Sequence, residues 1–162
     1  MQEIVQTRNL TSAVVLDDKR SRLRWLVWVI VAAFFVADLG LKWLAINQKI
    51  FLSLGPLKFE LFLNTGIVFS LPVPKWVYLP VATAVLLVFI YALLSSLRLR
   101  GRNVTGLLFV ILGAASNLRD NFIHGATIDY LIFFDRSAVN LADLMIVIGV
   151  LLLIAANRKI RL

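Results

Sequence analysis

The sequence predicts an all-α integral membrane protein with four transmembrane helices and a small extracytoplasmic β-sheet between helices 1 and 2. Three observations carry this prediction. Hydrophobic residues make up 60% of the 162-residue chain and the mean hydropathy is +0.89, more apolar surface than a water-soluble domain can bury. Basic residues fall in three short clusters, each flanking an apolar segment: Lys19, Arg20, Arg22 and Arg24; Arg98, Arg100 and Arg102; Arg158, Lys159 and Arg161. Four crossings place all three clusters on one side, as cytoplasmic loops require, whereas three or five would misplace one. Both termini are then cytoplasmic. Between Asn47 and Pro74 the apolar runs give way to a period-two pattern, which marks strands.

Length is consistent with this count. A helix needs roughly 20 apolar residues to cross about 30 Å of hydrocarbon, so residues 1–162 make one compact domain. The net charge of +8 sits at segment ends, where it meets a membrane surface rather than nucleic acid. Without cysteine there is no disulfide, thiol nucleophile or cysteine metal site, and one histidine with no second ligand at fitting spacing predicts no metal and no cofactor.

Residues 1–20 are weakly patterned and expected to form a cytoplasmic tail or a short interfacial helix. The first apolar run begins near Trp25, is too long for a signal-peptide core, and is expected to remain as helix 1 through Ile46. Its charges, Asp38 and Lys42, are four residues apart on one face, an internal ion pair with Lys42 snorkelling toward the outer interface. In residues 47–74, Lys58 and Glu60 alternate with Leu57, Phe59 and Leu61, Gly55-Pro56 marks a turn, and Asn64-Thr65-Gly66 a turn or bulge. Helix 2 runs from Trp76 to Leu97, with Trp76 and Tyr78 at the interface and Pro80 close to its start.

Helix 3 spans Val104 to Ile123. Gly106, Gly113, Ala114, Ala115 and Ser116 allow close packing, while Asn117, Asp120 and Asn121 share an outer face from which Arg119 points away. His124-Gly125 ends this helix, Thr127 to Phe134 is an extended or short amphipathic piece, and Asp135-Arg136-Ser137 is a polar turn. Helix 4 is expected from Val139 to Asn157, with Asn140 and Asp143 on one face of its first turns.

Carboxylates in so apolar a chain need a reason, because an ionisable group at a membrane centre costs roughly 2.5–3.5 kcal/mol on insertion scales. Asp120, Asp129 and Asp143 lie at one level on the extracytoplasmic side, with Asn64, Asn117 and Asn140 supplying amides. Two adjacent carboxylates can hold one proton between them, the charged one activating water and the neutral one polarising a carbonyl. Spacing equally permits bundle-stabilising pairs with Arg119, Arg136 and Lys42, or a proton-coupled transporter. A serine–lysine site would have to use Ser70 and Lys75, and nothing around them favours it.

Five motifs in order resemble the lipoprotein signal peptidases, the type II signal peptidases of bacteria: Asp38 with Lys42, Asn64-Thr65-Gly66 before Phe69-Ser70, Asn117 with Asp120, Ile128-Asp129-Tyr130, and Asn140-Leu141-Ala142-Asp143. The resemblance implies an intramembrane aspartyl endopeptidase of the bacterial cytoplasmic (inner) membrane, and a monomer is expected. Such an enzyme cuts diacylglyceryl prolipoproteins just before the lipidated cysteine, meets membrane lipid and is inhibited by globomycin-type cyclic peptides. It implies Asp129 and Asp143 as the catalytic dyad, and Asn64, Gly66, Asn117, Asp120, Asn140 and Ala142 as substrate-binding or supporting positions, with Asp38 and Lys42 as a supporting pair. A relative that binds lipidated peptides without cutting them would carry the same motifs. The chain departs from the family at Ser116, at Asn121 where an Arg usually follows the Asp, at Val139 and Leu144, and in a short connection from Asp129 to Asp143.

Overall fold

The structure, a computed structural model, describes residues 2–48, 50–65, 74–98 and 103–158. Among them, four helices and four strands follow one another as α1 (Gln2–Gln48), β1 (Leu52–Leu54), β2 (Leu57–Asn64), α2 (Lys75–Arg98), α3 (Val104–His124), β3 (Thr127–Phe133), β4 (Ser137–Val139) and α4 (Leu141–Arg158). Residues 66–73 lie outside the described residues, and with them the expectation for Gly66.

Among the described residues, two stretches are long and apolar enough to cross a membrane, Trp25–Gln48 within α1 and Lys75–Arg98, and α4 contributes a shorter apolar run, Leu141–Asn157. Upstream of Trp25 the helix does not stop: α1 starts at Gln2, continuous with the stretch expected to be a tail or a short separate helix, because residues 2–24 contain no glycine or proline to break it. α3 is less apolar because its polar residues face inward. It packs against α1, α2 and α4 and buries residues from Gly106 to Asn121. α2 buries none and packs mainly on α3.

The sheet corrects the expected architecture. It is not confined between helices 1 and 2: β3 and β4, which follow α3, complete an antiparallel order β1-β2-β3-β4. Of the two readings open for Thr127 to Phe134, the extended one holds, as β3; Thr127-Ile128-Asp129-Tyr130 is buried on both faces and lacks the period-two alternation that would have marked it as part of the sheet. Residues 137–139 form β4, so α4 opens at Leu141, two residues later than expected. A register shift between Phe59 and Phe62 bends β2, after which Phe62 pairs with Asp129 and Asn64 with Thr127. Asp129 and Asn64 are thereby brought to the same end of the sheet, at the bundle's rim.

Apolar packing between Val31, Phe109 and Met145 forms the bundle core, with Phe34 edge-on to Phe109 at 6.3 Å. α3 and α4 approach most closely at glycines. A Cβ added at Gly113 would lie 2.5 Å from the Ala142 carbonyl oxygen, and one at Gly149 would lie 2.7 Å from the Gly106 carbonyl oxygen. Gly106 and Gly113 were legible as packing residues; Gly149, their partner on α4, was not singled out. Because the opposing atoms are backbone, Gly149→Ala is expected to destabilise the protein by about 1–3 kcal/mol, read as a lower Tm in detergent. An unchanged Tm would show that the helices can separate freely here.

Candidate active site

Five elements converge at the sheet end of the bundle: α1 brings Asp38 and Lys42, α3 Ser116 to Asn121, β2 Asn64, β3 Ile128 to Tyr130, and α4 with the residue before it Asn140 to Asp143. Asp38, Lys42, Asp120, Asp129 and Asn140 are each at most 1% exposed. Asp143 and Asn117 are less deeply buried, so the cluster opens on their side.

Lys42 organises the inner half. Its Nζ lies 2.9 Å from Asp38 Oδ2 and 2.7 Å from Asp120 Oδ2, and donates to Ser116 Oγ at 2.9 Å and Asn117 Oδ1 at 3.0 Å. The expected pairing with Asp38 holds, but Lys42 does not snorkel: its side chain points inward, because four acceptors there hold a desolvated ammonium more strongly than the interface would. Asp38 is equally engaged. Its Oδ2 accepts from Ser116 Oγ at 2.5 Å, and its Oδ1 accepts from the Tyr130 hydroxyl at 2.9 Å and the Ala142 N–H at 3.1 Å. A carboxylate at α4's first N–H groups also meets the positive end of that helix.

Asn140-Leu141-Ala142-Asp143 folds locally as a reciprocal cap. The Asp143 N–H donates to Asn140 Oδ1 at 2.9 Å, while Asp143 Oδ2 accepts from the Asn140 N–H at 3.2 Å. With its oxygen thus committed, the Asn140 amide turns its Nδ2 to Asp129 Oδ1 at 2.7 Å. Asn64 Nδ2 donates to Asp129 Oδ2 at 3.1 Å, and Asn117 Nδ2 donates to Asp143 Oδ1 at 2.7 Å. Asn140 therefore touches both Asp129 and Asp143. Neither of these two carboxylates has a cation within ion-pairing distance among the described residues, whereas Asp38 and Asp120 both contact Lys42.

Burial pushes the Asp129 carboxyl up to about 6; the Asn64 amide opposes the shift, the Asp143 charge adds to it, and the Asn140 amide opposes it again. Burial and then the Asp38 carboxylate push the Tyr130 phenol upward, so it remains a neutral donor. Its oxygen also accepts from the Leu141 N–H at 2.9 Å, tying β3 to the first turn of α4.

Of the expected site residues, Asp38, Lys42, Asn64, Asn117, Asp120, Asp129, Asn140 and Ala142 meet here with Asp143, Ala142 through its N–H. Sequence reasoning missed the roles of Ser116 and Tyr130. Ser116 was read as a small packing residue, and its hydroxyl instead joins Asp38 to Lys42. Asn121 donates to Thr127 Oγ1 at 2.8 Å and to the Asn117 carbonyl at 3.0 Å. Arg119 does not simply point away: its Nη1 comes within 3.7 Å of Asp120 Oδ1. Asp135 stands apart, paired with Lys58 at the tip of the sheet. No cluster of metal-ligating side chains occurs among the described residues.

Known proteins resemble this chain over most of its length. The family described as signal peptidase (SPase) II matches residues 30–158. A lipoprotein signal peptidase of Shewanella amazonensis is 34% identical over 160 residues, covering 89% of this chain and 92% of the relative. One of Neisseria meningitidis serogroup C is 30% identical over 144 residues, 80% of this chain and 87% of the relative. Among solved structures, a bacterial membrane enzyme determined by the in meso method at 2.3 Å resolution superposes with a TM-score of 0.67 at 18% identity, over 83% of this chain and 88% of that one.

Proposed function

The chain belongs to the signal peptidase II family, and on that premise we propose that it is an intramembrane aspartyl endopeptidase that cleaves diacylglyceryl prolipoproteins just before the lipidated cysteine. One observation carries the aspartyl mechanism. Of the four carboxylates in the cluster, Asp129 and Asp143 alone lack a cation partner among the described residues, and the Asn140 side chain and backbone join them. Structural carboxylates are neutralised; a reactive pair is left to share a proton.

In the proposed reaction Asp129 begins protonated and Asp143 ionised. Asp143 takes a proton from water as its oxygen attacks the scissile carbonyl carbon, and Asp129 gives its proton to the carbonyl oxygen, producing a tetrahedral diol. On collapse Asp143 passes its proton to the leaving nitrogen, the C–N bond breaks, and a diol hydroxyl returns a proton to Asp129. Asn64, Asn117 and Asn140 donate to the oxygens of both carboxyl groups and so fix their orientation. We place the protein in the bacterial inner membrane as a monomer with four crossings, both termini cytoplasmic and the site on the extracytoplasmic side. Arg98 and Arg158, at the ends of α2 and α4 away from the sheet, support that orientation.

The test is cleavage of a synthetic diacylglyceryl prolipopeptide by the purified chain, with and without globomycin. A chain that binds the lipopeptide uncut, or that carries protons across liposomes instead, would refute the proposal. The raised Asp129 carboxyl adds a pH dependence: the singly protonated pair is depleted above its upper apparent pKa. kcat/KM is therefore expected to fall about tenfold per pH unit above about pH 6. A profile flat from pH 5 to 8 on the order of a twofold change would remove Asp129 as the acid.

A further inference from the structure

We infer that Arg119 is a positioning residue for the reactive pair, acting through Asp120; the inference rests on the proposed peptidase reading. Asp120 is fully buried on α3 and its two oxygens are unequally served. Oδ2 contacts Lys42 Nζ at 2.7 Å and accepts from the Ile128 N–H at 3.4 Å, whereas Oδ1 is buried and accepts no hydrogen bond. Lys42 cannot compensate for it, because the same ammonium also lies 2.9 Å from Asp38. Two buried carboxylates therefore share one buried cation. Arg119 is the other cation at Asp120 among the described residues: its guanidinium, on a side chain 50% exposed, reaches back to within 3.7 Å of Oδ1.

Asp120 matters because contacts lead from it to both reactive carboxylates. One path runs through Lys42 to Asn117 Oδ1, and the Nδ2 of that amide holds Asp143. The other runs through the Ile128 N–H to the backbone that carries Asp129. Without Arg119 the bare Oδ1 gains most by turning toward Lys42 or toward solvent, and either movement displaces Lys42 and Ile128 together. At 3.7 Å the contact is electrostatic rather than a directed hydrogen bond, so charge is what it supplies.

The experiment compares the full chain with Arg119→Gln and Arg119→Lys in the lipopeptide cleavage assay. Gln is expected to lower kcat about tenfold with KM changed less than about twofold, short of the roughly 100-fold that a 1 Å misplacement produces. Lys is expected to keep about half of the wild-type kcat. Wild-type kcat in the Gln variant, or a Lys variant as slow as Gln, would overturn the inference. A second measurement is independent of cleavage and so of the proposed function. Arg119→Gln should lower Tm in the wild-type background and leave it unchanged in an Asp120→Asn background. Equal Tm shifts in both backgrounds would break the link to Asp120 even if the wild-type chain proved inactive.

Discussion

Asp129→Asn and Asp143→Asn are each expected to abolish lipopeptide cleavage while the protein stays folded in the membrane. Asparagine keeps the shape of the side chain but can neither take a proton from water nor carry one to a carbonyl, so each loss is on the order of 10²–10⁴-fold in kcat. In the proposed mechanism the pair works as a unit, so the double variant should be no slower than the worse single one. Folding should survive because the surroundings are amides. One new Nδ2 would face a donor, Asn64 or Asn140 at position 129, Asn117 or the Asn140 N–H at position 143. That mismatch costs about 1–3 kcal/mol, against which the removal of a buried charge counts in favour. Cleavage retained by either variant would take that residue out of the chemistry. Loss of cleavage accompanied by loss of the folded protein would assign it a structural role instead.

Lys42→Met is expected to have the opposite signature, a loss of the protein itself. Methionine fills similar volume but leaves Asp38 and Asp120 buried without a shared cation, and breaking a buried pair from one side costs about 3–5 kcal/mol. Against a total stability of about 5–15 kcal/mol, that is enough to empty the membrane of folded chain. Adding Asp38→Asn should recover part of the loss, because the second change removes one of the stranded charges. Tm in detergent and the yield of folded protein measure both. A Lys42→Met variant with wild-type Tm would mean that the carboxylates take up protons and need no ammonium.

The two sets of substitutions separate carboxylates that look alike in the sequence. Asp38, Asp120, Asp129 and Asp143 all stand in apolar surroundings, and spacing along a helix could group only Asp38 with Lys42, Asn117 with Asp120 and Asn121, and Asn140 with Asp143. The pairing of Asp38 with Lys42 was legible from their spacing, but that Asp120 meets the same ammonium was decided across elements, by a contact from α1 to α3, and no local pattern encodes that distance. Tyr130 shows the same limit. As a residue it is one more aromatic in a strand, and only the approach of α1 and α4 turns its hydroxyl into a joint between Asp38 and Leu141. The reciprocal cap is the contrary case. Asparagine followed three residues later by aspartate at the head of an apolar run is a helix-start signal, and heeding it would have placed the start of α4 at Leu141 rather than Val139.

By itself the sequence determined the membrane class, the helical segments, the residues able to do chemistry and, through its motifs, the family. These follow from composition, hydrophobic period and residue type, which act locally along the chain. Tertiary structure decided the rest: that β3 and β4 complete the sheet, that Lys42 turns inward, and that Asp129 and Asp143 meet around Asn140 without a counter-ion among the described residues. The physical reason is that a buried charge is neutralised, or left reactive, by groups brought from other elements, so its role is set by packing rather than by its neighbours in sequence.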